Sequence, residues 1–387
     1  MENKILQSAY SPENFRKRGH QLIDQLADHL DKTLNEKYDK VIQWNLPEDE
    51  YVFWKKFLAD GNQAHLFSEI LKHTTHVHNP KYLGHQVSPP VPLGSLSGLI
   101  SSLLNNGMAI YEMGMAPTAI ERIITEFICS KIGYDNKSRG FLTSGGTLAN
   151  LTALLSARKA KVAHDVWNDG SDRDLGIMVS EEAHYCVDRA ARIMGLGDKG
   201  IIKIPATSVF NMNVSLLEEY YQKAINDGIT VFAIVGSAPS TATGMYDDLK
   251  KIWTFAKNHN IWFHVDGAHG GASIFSAKYS HTVNGIDQAD SVVIDGHKMM
   301  MMPTITTALL FKDGNHSHAT FSQKADYLLN KSRDEDWYNL AKRTFECTKT
   351  MMATKMFSLL AIHGAELLAA NVNRLCELTE EFAEMIR

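Results

Sequence analysis

From about residue 120 to residue 310, short apolar runs rich in β-branched residues alternate with segments that have helical spacing. The runs include GIMVS, IIKIPA, VFAIVGSA, IWFHVDGA, SVVIDGH and TTALLFK, and the segments between them include SLLEEYYQKAINDG and DDLKKIWTFAKNHN. This alternation predicts an α/β domain. Several runs are apolar at consecutive positions, which favours a mostly parallel sheet covered by helices on both faces.

The regions on either side of this pattern differ from it. Ser11 is a predicted N-cap, and the sequence NFRKRGHQLIDQLADHLDKTL that follows has the spacing of an amphipathic helix. Residues 79–97 contain four of the ten prolines and predict an extended, ordered segment rather than a helix. Beyond residue 340 the pattern is helical again. We therefore predict a helical N-terminal segment at 1–78, a large α/β domain at 79–345 and a helical segment at 346–387.

Composition and charge exclude several classes of protein. The chain has 387 residues, of which 44% are apolar and 21% are charged, as is typical of globular proteins. Its net charge of −5 and the lack of a basic cluster with interleaved aromatic residues argue against a nucleic-acid partner. No signal core or membrane-spanning run is present in the sequence, so the expected location is the cytoplasm. Neither a disulfide framework nor a cysteine zinc site is predicted, because four cysteines are far apart: Cys129, Cys186, Cys347 and Cys376.

Polar and small residues follow the predicted strands, where ligands bind in open α/β sheets. The first such turn contains Ser144, Gly145, Gly146 and Thr147 between an apolar run and a helix. Its glycines allow close approach of a ligand, and the helix start offers N–H groups and hydroxyls to an anion such as phosphate. The alternative is a simple glycine turn in which Thr147 acts only as an N-cap.

Titratable residues follow three further strands. His184 lies in the opening turn of a helix, Asp266 ends a buried strand before the small residue Ala268, and Lys298 with its neighbour His297 follows the apolar run SVVI closely. Two alternatives need no ligand: a capping or surface role for His184, and a buried salt bridge between Asp266 and Lys298.

A metal site is another alternative for the same region, because His264, Asp266, His269 and His297 are all possible ligands near two strand ends. No paired-histidine helix and no second carboxylate cluster accompanies them. A single ligand with a phosphate, a ring with a basic nitrogen and an aldehyde would explain all four strand ends together. Pyridoxal phosphate has these groups, with Lys298 as the reactive amine and Asp266 as the partner of the ring nitrogen.

Four sequences carry a family resemblance: TSGGTLANLTAL, SEEAHYCVDRAA, WFHVDGAHGG and DGHKMMMMP. In this order and spacing they resemble the group II pyridoxal-phosphate-dependent amino-acid decarboxylases, relatives of the aromatic-amino-acid, glutamate, cysteine-sulfinate and diaminobutyrate decarboxylases. The resemblance extends from roughly residue 75 to the end. It implies the aspartate-aminotransferase-like fold type I, a homodimer with active sites at the interface, and conversion of an L-amino acid to an amine and carbon dioxide.

The resemblance also implies roles for individual residues. Lys298 resembles the lysine that forms the internal aldimine with the cofactor, and His297 resembles a phosphate contact. His184 resembles the histidine stacked on the cofactor ring, Asp266 the partner of the pyridinium nitrogen, and Ala268 the residue packed under the ring. The phosphate-binding turn falls at Gly146 and Thr147, which complete the predicted cofactor contacts together with Ser144 and Gly145.

Other parts of the resemblance concern the substrate and the returning proton. HNPKYLGHQVSPP resembles the substrate-side loop, in which His85 or Gln86 would meet the substrate. A tyrosine of the family's mobile loop returns the proton after carbon dioxide leaves, and Tyr338 is the nearest candidate, with Tyr327 second. His85, Gln86 and Lys349 favour a small polar or acidic substrate, or diaminobutyrate, over an aromatic one. The alternative for each of them is a structural or surface role.

This chain departs from the family pattern at two places. Asp295 and Gly296 stand where many relatives have asparagine and proline, and we expect Asp295 to turn to another donor because an acid beside a phosphate is repelled. The chain also ends where the family's C-terminal small domain would begin, so 346–387 is the expected start of an incomplete domain. Met299–Met302 are expected to pack behind the cofactor, and contact with the substrate is the alternative.

Two kinds of alternative to decarboxylation remain open. The same cofactor supports transamination, oxidative deamination and lyase reactions, and a fold does not determine which bond is broken. A non-catalytic scaffold that retains the cofactor is the other alternative.

Overall fold

The computed structural model describes residues 2–61, 63–321 and 337–387, and the chain divides into two compact units, Met1–His85 and Gln86–Arg387. The first unit consists of α1 (Glu2–Ala9), α2 (Pro12–Leu34), α3 (Pro47–Asp60) and α4 (Leu66–Lys72). The predicted N-cap is confirmed, because the Ser11 hydroxyl accepts a hydrogen bond from the backbone N–H of Asn14 at 3.2 Å. The predicted boundaries after residues 78 and 345 stay predictions.

The second unit contains the sheet and the remaining helices. Its helices are α5 (Pro92–Leu104), α6 (Tyr111–Ile132), α7 (Gly146–Lys161), α8 (Val166–Asp169), α9 (Tyr185–Ile193), α10 (Leu217–Asn226), α11 (Leu249–Asn258), α12 (Asn315–Thr320), α13 (Ala353–His363) and α14 (Glu366–Ile386). The extended segment predicted at 79–97 is wrong at its end, since α5 begins at Pro92. A proline is well tolerated there, because the first N–H of a helix has no partner within the helix.

The sheet has seven strands: β1 (Arg139–Thr143), β2 (Leu175–Ser180), β3 (Ile201–Ile204), β4 (Thr230–Ser237), β5 (Trp262–Asp266), β6 (Ser291–Asp295) and β7 (Thr307–Phe311). Their spatial order is β1-β7-β6-β5-β4-β2-β3. Neighbouring strands from β6 to β3 pair in parallel, whereas β7 is antiparallel to both β1 and β6. The predicted strands and the mostly parallel sheet are confirmed.

Apolar side chains are buried on both faces of the sheet. Within β6, Val292 and Ile294 belong to one hydrophobic cluster and Val293 to the other, as the two-residue period of a strand requires. Buried residues of α6, α10, α11, α13 and α14 join the first cluster, and those of α7 and α9 join the second. Across the described ranges, no helix is both long enough and apolar enough to cross a membrane.

The direction of the strands brings distant residues to one edge of the sheet. Because β2, β4, β5 and β6 are parallel, their last residues lie at the same edge: Ser180, Ser237, Asp266 and Asp295. β1 ends at this edge as well, since both it and β6 are antiparallel to β7. The turns predicted to carry the chemistry follow these strand ends.

Candidate active site

A cavity of about 310 Å³ lies at the carboxyl ends of the parallel strands. It is lined by all nine residues predicted to contact a cofactor: Ser144, Gly145, Gly146, Thr147, His184, Asp266, Ala268, His297 and Lys298. The fold therefore brings four separate turns of the sequence to one place. His85, Gln86 and Tyr338, also predicted for the site, do not line this cavity.

The turn between β1 and α7 has the properties of an anion site. Gly145 has a φ of 112°, which a residue with a side chain rarely adopts, and a Cβ on Gly146 would lie 3.2 Å from Oδ1 of Asp295. The Ser144 hydroxyl donates to Oε1 of Glu346 at 2.5 Å, and the Ser144 N–H donates to Oε2 of the same residue at 3.4 Å. A carboxylate is thus already held by donors of the predicted phosphate turn.

His184 caps a helix and also borders the cavity. Its Nδ1 atom accepts a hydrogen bond from the backbone N–H of Cys186 at 3.3 Å, in the first turn of α9. Burial lowers the pKa of His184, while the Asp266 carboxylate opposes this effect. A neutral imidazole with an accepting Nδ1 carries its proton on Nε2. The capping alternative is therefore confirmed, and it fixes the tautomer of a ring that lines the cavity.

Asp266 is a buried carboxylate that contacts no cation among the residues the structure describes. Its Oδ1 accepts from the Ala268 N–H and its Oδ2 from Nδ2 of Asn150, both at 3.2 Å. Burial raises the pKa of Asp266, and the nearby Asp295 raises it further. The alternative salt bridge between Asp266 and Lys298 is wrong, because the carboxylate that Lys298 contacts is that of Asp295.

Lys298 and Asp295 form an ion pair at the end of β6. Lys298 Nζ lies 3.1 Å from Oδ2 of Asp295, and the lysine side chain is 20% exposed. The Thr307 hydroxyl donates to Oδ1 of Asp295 at 2.6 Å, and Nε2 of His297 lies 3.6 Å from Oδ2. The prediction that Asp295 turns to another donor is confirmed. On the backbone side, the Ser88 hydroxyl donates to the Lys298 carbonyl at 2.5 Å.

The methionines after Lys298 are mostly core residues. Met299, Met300 and Met302 are buried and belong to a hydrophobic cluster of the large unit. The carbonyl of Met301 accepts a hydrogen bond from the Val91 N–H at 2.9 Å, just before α5. The predicted packing role is confirmed for the three buried methionines.

The predicted substrate and proton-donor residues have different positions. Nε2 of Gln86 donates to the carbonyl of Thr241 at 3.3 Å, and Thr241 lines the cavity, so Gln86 is attached to the cavity rim. His85 is an exposed residue at the end of the first unit, and its role stays a prediction. Tyr338 is 38% exposed, and its ring centroid lies 5.7 Å from that of Tyr111. Tyr327 lies outside the described residues.

Lys349 has a structural role, and the prediction that it helps select the substrate is wrong. Its Nζ forms a salt bridge with Glu121 and donates to the Leu142 carbonyl at 2.7 Å. Both charged side chains are only 1% exposed. Glu121 in turn accepts from the Leu142 N–H at 2.9 Å, so the pair joins α6 to β1.

Sequence reasoning missed several residues that line the cavity. Asn150 lies one helical turn after Gly146, on the same side of α7, so the spacing alone could have indicated it. Ser237 ends β4 and Thr241 follows shortly after, which the strand-end rule could also have found. The sequence indicates His269 only as a possible metal ligand, whereas the structure places it in the cavity lining, where burial lowers its pKa to about 4.

One of the four possible metal ligands, His264, makes hydrogen bonds with both of its ring nitrogens. Both ring nitrogens of His264 are occupied, Nδ1 by Ser291 at 2.8 Å and Nε2 by Asn150 at 2.7 Å. Within the part of the chain that the structure describes, no three side chains of histidine, cysteine, aspartate or glutamate are placed to hold a metal ion.

The residues present fit pyridoxal phosphate. A volume of about 310 Å³ is at the small end of the ~300–1,000 Å³ range of small-molecule sites. Within the described ranges, the buried Asp266 carboxylate contacts no cation, and a protonated ring nitrogen would supply one. The turn at 144–147 provides donors for a phosphate. A mostly parallel α/β sheet with these groups at its carboxyl edge defines a pyridoxal-phosphate-binding protein.

Comparison with known proteins identifies the family. The pyridoxal-dependent decarboxylase conserved domain matches residues 59–387, so the chain belongs to the pyridoxal-dependent decarboxylase family. Members of this family are carboxy-lyases that use pyridoxal phosphate and act on amino acids.

Individual relatives agree on the fold but not on the substrate. The chain is 27% identical to L-aspartate decarboxylase dtxS4 of Metarhizium robertsii, covering 92% of this chain and 69% of that one. It is also 27% identical to an aromatic-L-amino-acid decarboxylase of Bacillus atrophaeus, covering 92% and 75%. The crystal structure of mouse CSAD superposes with a TM-score of 0.88 at 22% identity, covering 97% of this chain and 79% of that one. The predicted fold class is confirmed.

Proposed function

We propose that this chain decarboxylates an L-amino acid in the cavity at the carboxyl edge of the sheet, with Lys298, Asp266 and His184 as its central groups. The observation that carries the proposal is the convergence of these three residues and the turn at 144–147 on one cavity. When bound, pyridoxal phosphate supplies an aldehyde that combines with amines and a ring that accepts the electron pair left by carbon dioxide.

Each residue has a distinct task in this proposal. Lys298 offers its amine as the attachment point, because its side chain reaches the cavity at the end of a buried strand. Asp266 faces the ring nitrogen and favours its protonated form. His184 lies against the ring with its proton on Nε2, and Ala268 leaves space for a flat group.

The proton that completes the reaction needs a donor near the cavity. Tyr338 remains our proposed donor, by resemblance to the family's loop tyrosine. His184 is the alternative donor, because it lines the cavity and its neutral ring carries a proton on Nε2. Replacing Tyr338 with phenylalanine should slow product formation while leaving cofactor affinity unchanged. If Tyr338→Phe turns over normally and His184→Gln does not, the assignment to Tyr338 is wrong.

We propose a small polar or acidic substrate, or diaminobutyrate. Among the described residues that line the cavity there is no phenylalanine, tyrosine or tryptophan, whereas Ser237, Thr241 and His269 provide polar groups. Gln86 at the rim adds an amide. A large aromatic side chain would find few apolar partners in such a lining.

A homodimer is also part of the proposal. Five apolar residues of α5 are 46–64% exposed and form one stripe along the helix: Leu96, Leu99, Ile100, Leu103 and Leu104. An exposed apolar stripe of this kind is typical of a protein interface. Replacing Leu103 with glutamate should convert the dimer to monomer in light scattering, whereas the same change at the exposed Ile193 should not.

The reaction is tested by supplying the cofactor-loaded protein with the twenty amino acids plus diaminobutyrate, ornithine and cysteine sulfinate. Mass spectrometry of amine products and measurement of carbon dioxide should identify the substrate. Release of ammonia without carbon dioxide would instead indicate another pyridoxal-phosphate reaction. Bound cofactor without turnover of any substrate would favour a scaffold role.

The lysine assignment has its own test. After borohydride reduction, the wild-type protein should carry the cofactor covalently on the peptide that contains Lys298. The Lys298→Ala variant should not, and the exposed Lys199→Ala variant should behave like wild type. Covalent label on another lysine would overturn the assignment.

A further inference from the structure

Asp266 is connected to a buried hydrogen-bonded chain that no step of the proposed function uses. Nδ2 of Asn150 donates to Oδ2 of Asp266 at 3.2 Å and to the Gly146 carbonyl at 2.9 Å. Oδ1 of Asn150 lies 2.7 Å from Nε2 of His264. Asn150 and His264 are 1% and 0% exposed. A fully buried asparagine and a fully buried histidine thus stand directly behind the carboxylate.

The hydrogen-bonded chain continues from His264 on β5 to Ser291 on the neighbouring strand β6. Nδ1 of His264 lies 2.8 Å from the Ser291 hydroxyl, and the indole N–H of Trp262 donates to the same hydroxyl at 2.9 Å. Ser291 and Trp262 are 0% and 1% exposed. Every residue of this hydrogen-bonded chain is therefore shielded from water. In such a buried environment an unpaired polar group is costly and a hydrogen bond is strong.

The orientation of Asn150 follows from its neighbours. The Gly146 carbonyl oxygen can only accept, so the side-chain atom 2.9 Å away must be the amide nitrogen. The reverse orientation would also place the amide oxygen against the Asp266 carboxylate. With the nitrogen toward Asp266, the amide oxygen faces His264 and requires a proton on Nε2.

The direction of the remaining hydrogen bonds follows in the same way. Burial lowers the pKa of His264 to about 4, so the imidazole is neutral near pH 7 and its single proton is on Nε2. Nδ1 then accepts from the Ser291 hydroxyl at 2.8 Å and does not donate to the Ser291 carbonyl, which lies 3.2 Å away. The hydroxyl oxygen accepts from Trp262. All donors point the same way, from Trp262 through Ser291, His264 and Asn150 to Asp266.

We infer that Asn150 and His264 are positioning residues that hold the Asp266 carboxylate ionised and aimed at the ring nitrogen of pyridoxal phosphate. The inference rests on the role of Asp266 in the proposed function. Burial without donors would favour the protonated carboxyl, which could not keep a ring nitrogen protonated. The Asn150 amide, backed by His264, supplies a donor that favours the carboxylate, as the Ala268 N–H does on the other oxygen.

Other charged and titratable groups around Asp266 act on the same equilibrium. Asp295 at the end of β6 disfavours the carboxylate, while Lys298 favours it, as His184 does when its ring is protonated. The Cys186 thiol of α9 lies 4.0 Å from Oδ2, and burial raises its pKa, so it remains protonated. These groups are the same in wild type and in variants of Asn150. A difference in protonation between the proteins is therefore due to the loss of the Asn150 amide.

The test measures protonation of the ring nitrogen directly, by the nitrogen-15 chemical shift of bound pyridoxal phosphate labelled at that atom. Wild type should show a protonated nitrogen at neutral pH. In Asn150→Leu, which keeps the volume but removes the donor, the titration should move to lower pH by about one unit, a tenfold loss of proton affinity. Asn150→Thr should recover part of this shift, because a hydroxyl can accept from His264 and donate to Asp266.

The controls separate positioning from general packing. The Thr152 hydroxyl is buried on the same helix and donates to the Leu148 carbonyl rather than to a member of this chain, so Thr152→Val should leave the chemical shift unchanged. His264→Leu should shift the titration in the same direction as Asn150→Leu. If Asn150→Leu binds cofactor with a wild-type titration, the inference is overturned and the proposed function stands. An unprotonated ring nitrogen in wild type would instead contradict the proposed function, in which Asp266 keeps that nitrogen protonated.

Discussion

Nζ of Lys298 lies 3.1 Å from Oδ2 of Asp295, and Oδ1 of the same carboxylate accepts from Thr307. A Cβ on Gly146 would lie 3.2 Å from Oδ1, so Asp295 is close to the turn that is predicted to bind the cofactor phosphate. The side chain is only 3% exposed, which leaves little water to screen it. Asp295 therefore places a negative charge near the site of another negative group.

Replacing Asp295 with asparagine should strengthen the binding of pyridoxal phosphate. The amide oxygen can still accept from Thr307, while the repulsion between the carboxylate and the phosphate is removed. Lys298 and His297 partly balance this charge, so we expect a decrease in Kd of about tenfold, or ~1.4 kcal/mol. Equilibrium titration followed by protein fluorescence measures the change. Asp290→Asn, which changes a carboxylate at the opposite end of β6, is the control, and an unchanged or weaker affinity in Asp295→Asn would contradict the argument.

Glu346 occupies donors of the same turn and should compete with an incoming anion. Its carboxylate accepts from the Ser144 hydroxyl and N–H, which the phosphate would otherwise use. Glu346→Gln should therefore increase the affinity for inorganic phosphate and for pyridoxal phosphate by several fold. Calorimetric titration with each ligand measures the effect, with the exposed Glu384→Gln as control. The same affinity in both variants would show that Glu346 does not compete.

The sequence predicts the strands and most of the site turns because both depend on local patterns. Asp266 and Lys298 each follow an apolar run, and the carboxyl ends of parallel strands must meet. The direction of β7 was not predictable, since an apolar run of five residues has the same pattern in either direction. Lys349 was assigned wrongly because its partners, Glu121 and Leu142, are more than 200 residues away in the sequence. No short-range pattern marks such a contact.

Breaking the buried pair of Lys349 and Glu121 should destabilise the fold without changing substrate preference. Lys349→Met leaves the Glu121 carboxylate buried and without its cation, which costs roughly 3–5 kcal/mol in other proteins. The double variant Glu121→Gln/Lys349→Met should recover part of the loss. Urea denaturation measures the free energy of unfolding of the single and the double variant. Lys278→Met breaks an exposed pair with Glu377 and should cost much less, because water screens the two charges. A similar cost for Lys278→Met and Lys349→Met would refute the argument.

The buried imidazole of His264 should make the protein less stable as the pH falls. Burial lowers the pKa of His264 to about 4 from its ordinary value of 6.5, so the unfolded chain takes up a proton that the folded chain resists. The resulting stability is fully present above pH 6.5 and is lost as the pH falls toward 4, by an amount of order 3 kcal/mol. His264→Gln cannot titrate, and its free energy of unfolding should therefore change less over this interval.

Comparison of wild type with His264→Gln separates the effect of His264 from that of other groups that titrate in the same pH interval. Burial also lowers the pKa of His269 to about 4, and it raises the pKa of Asp247 to about 6, which acts in the opposite direction. Both groups are present in wild type and in His264→Gln, so they cancel when the two pH profiles are subtracted. Urea denaturation at half-unit steps from pH 4.5 to pH 7.5 provides the profiles, with the exposed His281→Gln as control. Parallel profiles for wild type and His264→Gln would mean that the folded protein accommodates a charged imidazole, and the tautomer assigned to the chain from Trp262 to Asp266 would then be wrong.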